Sequence, residues 1–190
     1  MAVIAASILV SVVLWFALYH LMPPLRGMED VTARMVVAVK CLAVAVLFAL
    51  VAGVEAVAHE RLQSDAFDPL AGHETKRLRV NLRYLQNTLE QTVIFATGLF
   101  GLAAYLTSGE SMRALPATTI VWVLNRYAFW IGYHRSAAMR GLGAPSMAIG
   151  LIMLLYVVAR IGDDLAGIAG AVVAIGLYLA VEAVLFWKTR

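Results

Sequence analysis

Three polar residues interrupt the stretch LRYLQNTLEQTVIF, residues 82–95, in what otherwise reads as an apolar span. Arg83, Asn87 and Glu90 stand at i, i+4 and i+7, so a helix carries them on one stripe, which Thr97 extends. Glu90 then lies roughly 10 Å deeper along the helix axis than Arg83. A carboxylate facing lipid at that depth is costly, so it should face protein, water or a ligand. The stretch NRYAFWIGYHRSAAMRGLG, residues 125–143, repeats the device. Arg126, Phe129 or Trp130, Tyr133 and Arg140 share one face of the next helix. The two helices run antiparallel, which sets Tyr133 near the level of Glu90 and Arg126 deeper. A guanidinium at that depth requires a carboxylate or carbonyl partner, and Glu90 is the nearest carboxylate by this geometry.

Two readings of these residues stand side by side. In one, Arg126 and Glu90 form a structural ion pair that fixes helix packing. In the other, Arg83 and Arg140 at the rim, with Asn87, Glu90 and Tyr133 below them, make a funnel open to the cytosol. A small anionic, amide-bearing molecule suits such a funnel better than an ion path does, because the polar groups stop before the far side.

The elements that must position these residues are membrane spans. Of the 190 residues 62% are hydrophobic and only 14% charged, and mean hydropathy is +0.83, values outside the range of soluble domains. Six apolar stretches approach the length needed to cross a bilayer: 2–22, 33–58, 84–107, 116–139, 146–161 and 166–187. The first is expected to be a retained span, since apolar segments recur to the last residues rather than giving way to a soluble body. Breakers separate the six, among them MPPLRG, the long polar HERLQSDAFDPLAGHETKRLR, RGLGAP and GDD. With six spans, both termini and the long loop share a side with Arg61, Lys76, Arg77, Arg79, Arg83, Arg135 and Arg140, and the positive-inside rule makes that side cytosolic. The formal charge of +3 is the ordinary result of such topology rather than a sign of nucleic-acid binding. The lone Cys41 reads as core packing. His20, His59, His73 and His134 lack metal-ligand spacing, and Glu55 with His59 forms a local i, i+4 pair.

At the two polar stretches the sequence resembles the MAPEG family, the membrane-associated proteins of eicosanoid and glutathione metabolism. RYLQNTLEQTVIF is similar to the family's R-x3-N-x2-E pattern. RYAFWIGYHRSAAMR is similar to its R-x6-Y-x-RSA-x2-R stretch, most of all in the leukotriene synthase and microsomal glutathione transferase branches. The resemblance implies an all-α membrane protein in one transmembrane domain. A four-helix core would occupy 33–161, with an extra helix in 1–32 and another in 162–190. It further implies a homotrimer with glutathione as co-substrate, held between neighbouring subunits near the cytosolic face. Carried over by position, Arg83, Asn87 and Glu90 would hold glutathione's carboxylates and amino group. Tyr133 would donate a hydrogen bond to the tripeptide, Arg126 would support the polar network, and Arg140 would stabilise the thiolate. Three departures accompany the match: Phe129 stands where leukotriene synthase has a tyrosine, Gln91 replaces an aromatic residue, and Leu85 replaces a polar one.

The expectation from the sequence is a bacterial inner-membrane protein, both termini cytoplasmic, that uses glutathione to conjugate or reduce lipophilic electrophiles arriving from the bilayer. The alternative is a non-catalytic member of the same fold that binds lipid or offers an interaction surface. A small transporter is a third reading, disfavoured by polar residues that cluster at one membrane face.

Overall fold

The computed structural model describes residues 2–189, whose regular elements are all helices, with no strand among the described residues. Helix α1 spans Ala2–Leu21. Helix α2, Val31–Ala45, runs through a π-helical segment, Val46–Val51, into α3, Ala52–Leu62. Helix α4 spans Lys76–Tyr105, α5 spans Ala114–Arg135, and α6 spans Ala144–Lys188. Three stretches are long and apolar enough to cross a membrane: Ala2–Leu21, Val31–Leu62 and Met139–Lys188. The protein is therefore an integral membrane protein. Helices α4 and α5 fall outside that set because they carry the polar residues of the site.

Local chemistry explains where the helices begin and turn. Asp30 caps α2, its carboxylate accepting from the backbone N–H groups of Thr32 and Ala33. Thr75 caps α4, its hydroxyl accepting from Leu78 N–H at 2.9 Å. That cap starts α4 two turns earlier than the apolar pattern indicates, so the long polar loop contracts to Gln63–Thr75, with a short 3-10 turn at Asp65–Phe67 inside it.

The sharpest departure from simple helix is inside α6. Ala166 (φ −146°, ψ 22°) and Gly167 (φ 63°, ψ −157°) leave the helical region, and only glycine takes the positive φ without strain. Eight residues of straight helix rise about 12 Å. Yet a Cβ added to Gly162 would meet the carbonyl oxygen of Gly170 at 2.6 Å. The chain thus folds back at 166–167 and packs glycine on glycine. The stretches read as 146–161 and 166–187 are the two arms of this one element.

Small residues also seat α4. On α2, Arg34, Ala38, Cys41 and Ala45 form one buried stripe, which places Cys41 in the core. Gly98 faces Met153 and Gly101 faces Val157 on α6, each with no room for a methyl group. Phe95 and Trp122 stack at 4.6 Å in the centre. Helix α1 is stitched to α5 by two polar links: Asn125 Nδ2 donates to Ser11 Oγ at 2.9 Å, and Trp15 Nε1 donates to Thr118 Oγ1 at 2.8 Å. The N-terminal part of α1 and the start of α6 lie at the Arg140 end of the bundle, where Ile4 touches Gly141. The opposite end holds Arg113, whose Nη1 donates to the Met22 carbonyl.

Candidate functional site

The start of α4, the end of α5 and the 3-10 turn Met139–Gly143 enclose a polar cavity of about 430 Å³. Arg83, Asn87, Glu90, Arg126, Tyr133 and Arg140 all line it. The helical period puts the first three on one face of α4, and the turn after α5 swings Arg140 back over them. That turn packs closely because Gly132 and Gly143 carry no Cβ: one on Gly132 would strike the Met139 carbonyl, and one on Gly143 would strike Phe129.

Arg126 is the anchor of the cavity wall. It is 1% exposed, and its guanidinium donates to Asn87 Oδ1 at 2.9 Å, Thr88 Oγ1 at 2.8 Å and Ser146 Oγ at 3.4 Å. The guanidinium also lies 4.6 Å over the Phe129 ring and 5.5 Å over that of Tyr84. An Arg126–Glu90 ion pair, the partner that depth alone indicates, does not form. A long arginine side chain reaches one turn nearer the helix start, where neutral oxygens accept its protons, and Glu90 is left for other partners. Among the described residues no acceptor meets Arg126 Nε. With Asn87 Oδ1 accepting from Arg126, the amide nitrogen of this cavity-lining residue remains as its donor.

Glu90 is held by a residue that the sequence pattern did not single out. Gln86 accepts from Arg83 Nη1 at 3.2 Å and donates to Glu90 Oε1 at 3.3 Å, bridging the rim arginine to the deeper carboxylate. Its position, i+3 from Arg83 and i−4 from Glu90, is the signal that would have found it. Glu90 and Arg83 are exposed in the single chain. Tyr133 is half-buried, its ring 5.6 Å from that of Phe129. Phe129 thus acts as a flat support for Arg126 and Tyr133, without the hydroxyl of a tyrosine. Gln91 is buried, and Leu85 lies beside Gly53.

A second polar cavity, about 410 Å³, opens on the other side of α4 between Glu60, Arg77, Asn81 and His134. Its groups satisfy one another. Asn81 Oδ1 accepts from Trp130 Nε1 and pairs with His134 Nε2, both at 2.9 Å, and Arg77 Nε meets Glu60 at 3.0 Å. Glu55 and His59 approach to 4.0 Å, a loose exposed pair.

The first cavity contains three guanidiniums, Arg83, Arg126 and Arg140, against one carboxylate, Glu90. Such a set selects a ligand that brings net negative charge, with one cationic group for Glu90. No curated protein and no solved structure matches the chain. The sequence model of the MAPEG family matches residues 35–162, which contain every residue lining this cavity, and the protein belongs to the MAPEG family.

Proposed function

We propose that the polar cavity binds glutathione and that the protein is a membrane glutathione-dependent transferase or peroxidase acting on lipophilic electrophiles. The observation that carries this reading is the convergence of Arg83, Asn87, Glu90, Arg126, Tyr133 and Arg140 on one cavity. Glutathione as its thiolate has two carboxylates, one ammonium and one S⁻, a net charge opposite in sign and equal in size to the surplus of three guanidiniums over one carboxylate. In this reading Glu90 takes the ammonium, Arg83 a carboxylate, the Asn87 amide a carbonyl or carboxylate, and Tyr133 donates to the peptide. Arg126 orients Asn87 and supplies positive potential from behind. Arg140 stabilises the sulfur anion, which makes a thiol of pKa about 8.5 a competent nucleophile at neutral pH.

In the transfer step the thiolate forms a C–S bond to an electrophilic carbon. The displaced electron pair leaves with a halide, or moves onto an acceptor oxygen that takes a proton from water. The protein's contribution is orientation and charge stabilisation.

The exposure of Glu90, roughly 10 Å below Arg83, supports cover by a neighbouring copy, which in this reading belongs to the homotrimer that the family resemblance implies. The same reading takes α1, α2–α3, α4, α5 and the two arms of α6 as six spans around a four-helix core. Both termini then lie in the cytoplasm of a bacterial inner membrane, with the cavity facing that side. The test is conjugation of glutathione to a chromogenic aryl halide by protein in liposomes. Wild type turns over and Glu90→Gln shows a raised KM for glutathione. No turnover with any electrophile, together with intact glutathione binding, favours a non-catalytic binding member of the fold.

A further inference from the structure

An apolar cavity of about 450 Å³ lies between α1, α5 and the first arm of α6, with the end of α4 as its floor, and runs from Pro145 toward the end of the bundle that holds Arg113. Val12 and Phe16 of α1 face Leu106, Val121, Ile149 and Met153 across it. The α1 residues fall outside the part of the chain that the family model matches. On α5 this cavity is lined by residues 114–121, and the polar cavity by residues 126–133; on α4 the corresponding residues are 102–106 and 83–90. On α6 the two linings adjoin, Ala144 and Met147 on the polar cavity and Pro145 and Ala148 on the apolar one, so these are separate cavities that extend toward opposite ends of the bundle.

The lining indicates the occupant. No charged residue lines the cavity, and three of its polar side chains are already matched, Ser11 with Asn125 and Trp15 with Thr118. Water has few partners there, and an empty space of this size forfeits dispersion contacts on every wall. Part of the lining is itself exposed, Ile8, Val12 and Phe16 on α1 and Ile152 on α6, so the cavity reaches the apolar surface that faces the hydrocarbon of the bilayer. A cation marks the same end. Arg113 immediately precedes the lining residue Ala114, and its guanidinium sits 4.9 Å over the ring of Tyr19, one turn beyond Trp15. Nε and Nη1 of Arg113 donate to the carbonyls of Glu110 and Met22, leaving Nη2 uncommitted among the described residues.

We propose that this cavity holds an acyl chain of an anionic phospholipid, whose phosphate is met by Arg113. The chain fills the gap between the added helix α1 and the family core, and the headgroup pairs with the guanidinium at the bundle's rim. The site is independent of glutathione and of any activity.

The test uses the detergent-purified full chain and phosphatidylglycerol with acyl chains dibrominated at mid-chain, read by quenching of Trp15 fluorescence. The Trp15 signal is the component lost in Trp15→Phe. Saturable quenching is expected. It weakens about tenfold when Ala148→Phe fills the cavity or when Ile152→Phe, a change at an exposed position that adds no tryptophan, narrows its mouth. Arg113→Gln removes the preference over brominated phosphatidylcholine. Quenching that rises without saturation, or that both cavity variants leave unchanged, overturns the acyl-chain site. Equal affinity for the two lipids in wild type overturns the phosphate assignment to Arg113.

Discussion

Each end of the bundle buries an arginine, and the two are held in different ways. Arg34, 6% exposed, donates from Nε to the Ala103 carbonyl at 2.8 Å and from Nη1 to the Met28 and Glu29 carbonyls at 3.0 Å. All three acceptors are backbone groups near a helix end, so its charge ties the end of α4 to the start of α2. Arg126 instead meets side-chain oxygens of Asn87, Thr88 and Ser146, keeps one buried donor unmatched, and faces a cavity with two more arginines. A guanidinium sated by carbonyls is a structural clamp. One surrounded by neutral side chains, with like charges nearby, is arranged for an anion from outside.

The contrast is sharpened most by removing the clamp. Arg34→Ala leaves two buried carbonyls, those of Ala103 and Met28, and the part-buried Glu29 carbonyl without their donor and is expected to cost about 3 kcal/mol or more of stability. Thermal unfolding in detergent would register this, and glutathione affinity of the folded fraction would stay unchanged. At the other end, Glu90→Gln is expected to weaken glutathione binding by about 2 kcal/mol, roughly thirtyfold, with stability barely altered because Glu90 is exposed in the single chain. Calorimetry measures the first effect and unfolding the second. Arg126→Lys keeps the charge but cannot bridge three acceptors. The released Asn87 loses its fixed orientation, and affinity should fall about tenfold. The smallest effect is expected at Ser11→Ala, about 0.6 kcal/mol, since one interhelical hydrogen bond to Asn125 is lost while the Trp15–Thr118 link remains. A large loss of affinity in Arg34→Ala, or none in Arg126→Lys, would erase the distinction between clamp and site.

The candidate site was legible in the sequence to the extent that it rests on helical period. Arg83, Asn87 and Glu90 share a face because 3.6 residues make a turn, and Arg140 joins them through the turn after α5. What the period does not carry is the reach of long side chains. Depth alone assigns Glu90 to Arg126, whereas the guanidinium bends to Asn87 and Thr88, and Gln86 takes Glu90 instead. Backbone irregularity was equally hidden. The reversal at Gly167 depends on Gly162 finding Gly170, and the π-helical segment Val46–Val51 has no composition of its own. In that segment the Ala49 carbonyl accepts the Tyr84 hydroxyl at 3.0 Å, placing the ring that stacks on Trp130 and stands under Arg126. The apolar cavity needs four helices packed together before it exists, so no stretch of sequence announces it.

The charge balance of the polar cavity is tested most directly by one titration. Glutathione is added to purified protein while the ultraviolet absorbance of the thiolate is followed, for wild type beside Arg140→Ala. Wild type should bind saturably with thiolate absorbance at neutral pH, and Arg140→Ala should retain binding but lose the absorbance. If wild type shows neither binding nor thiolate at millimolar glutathione, the three arginines serve a different anion and the glutathione reading is wrong.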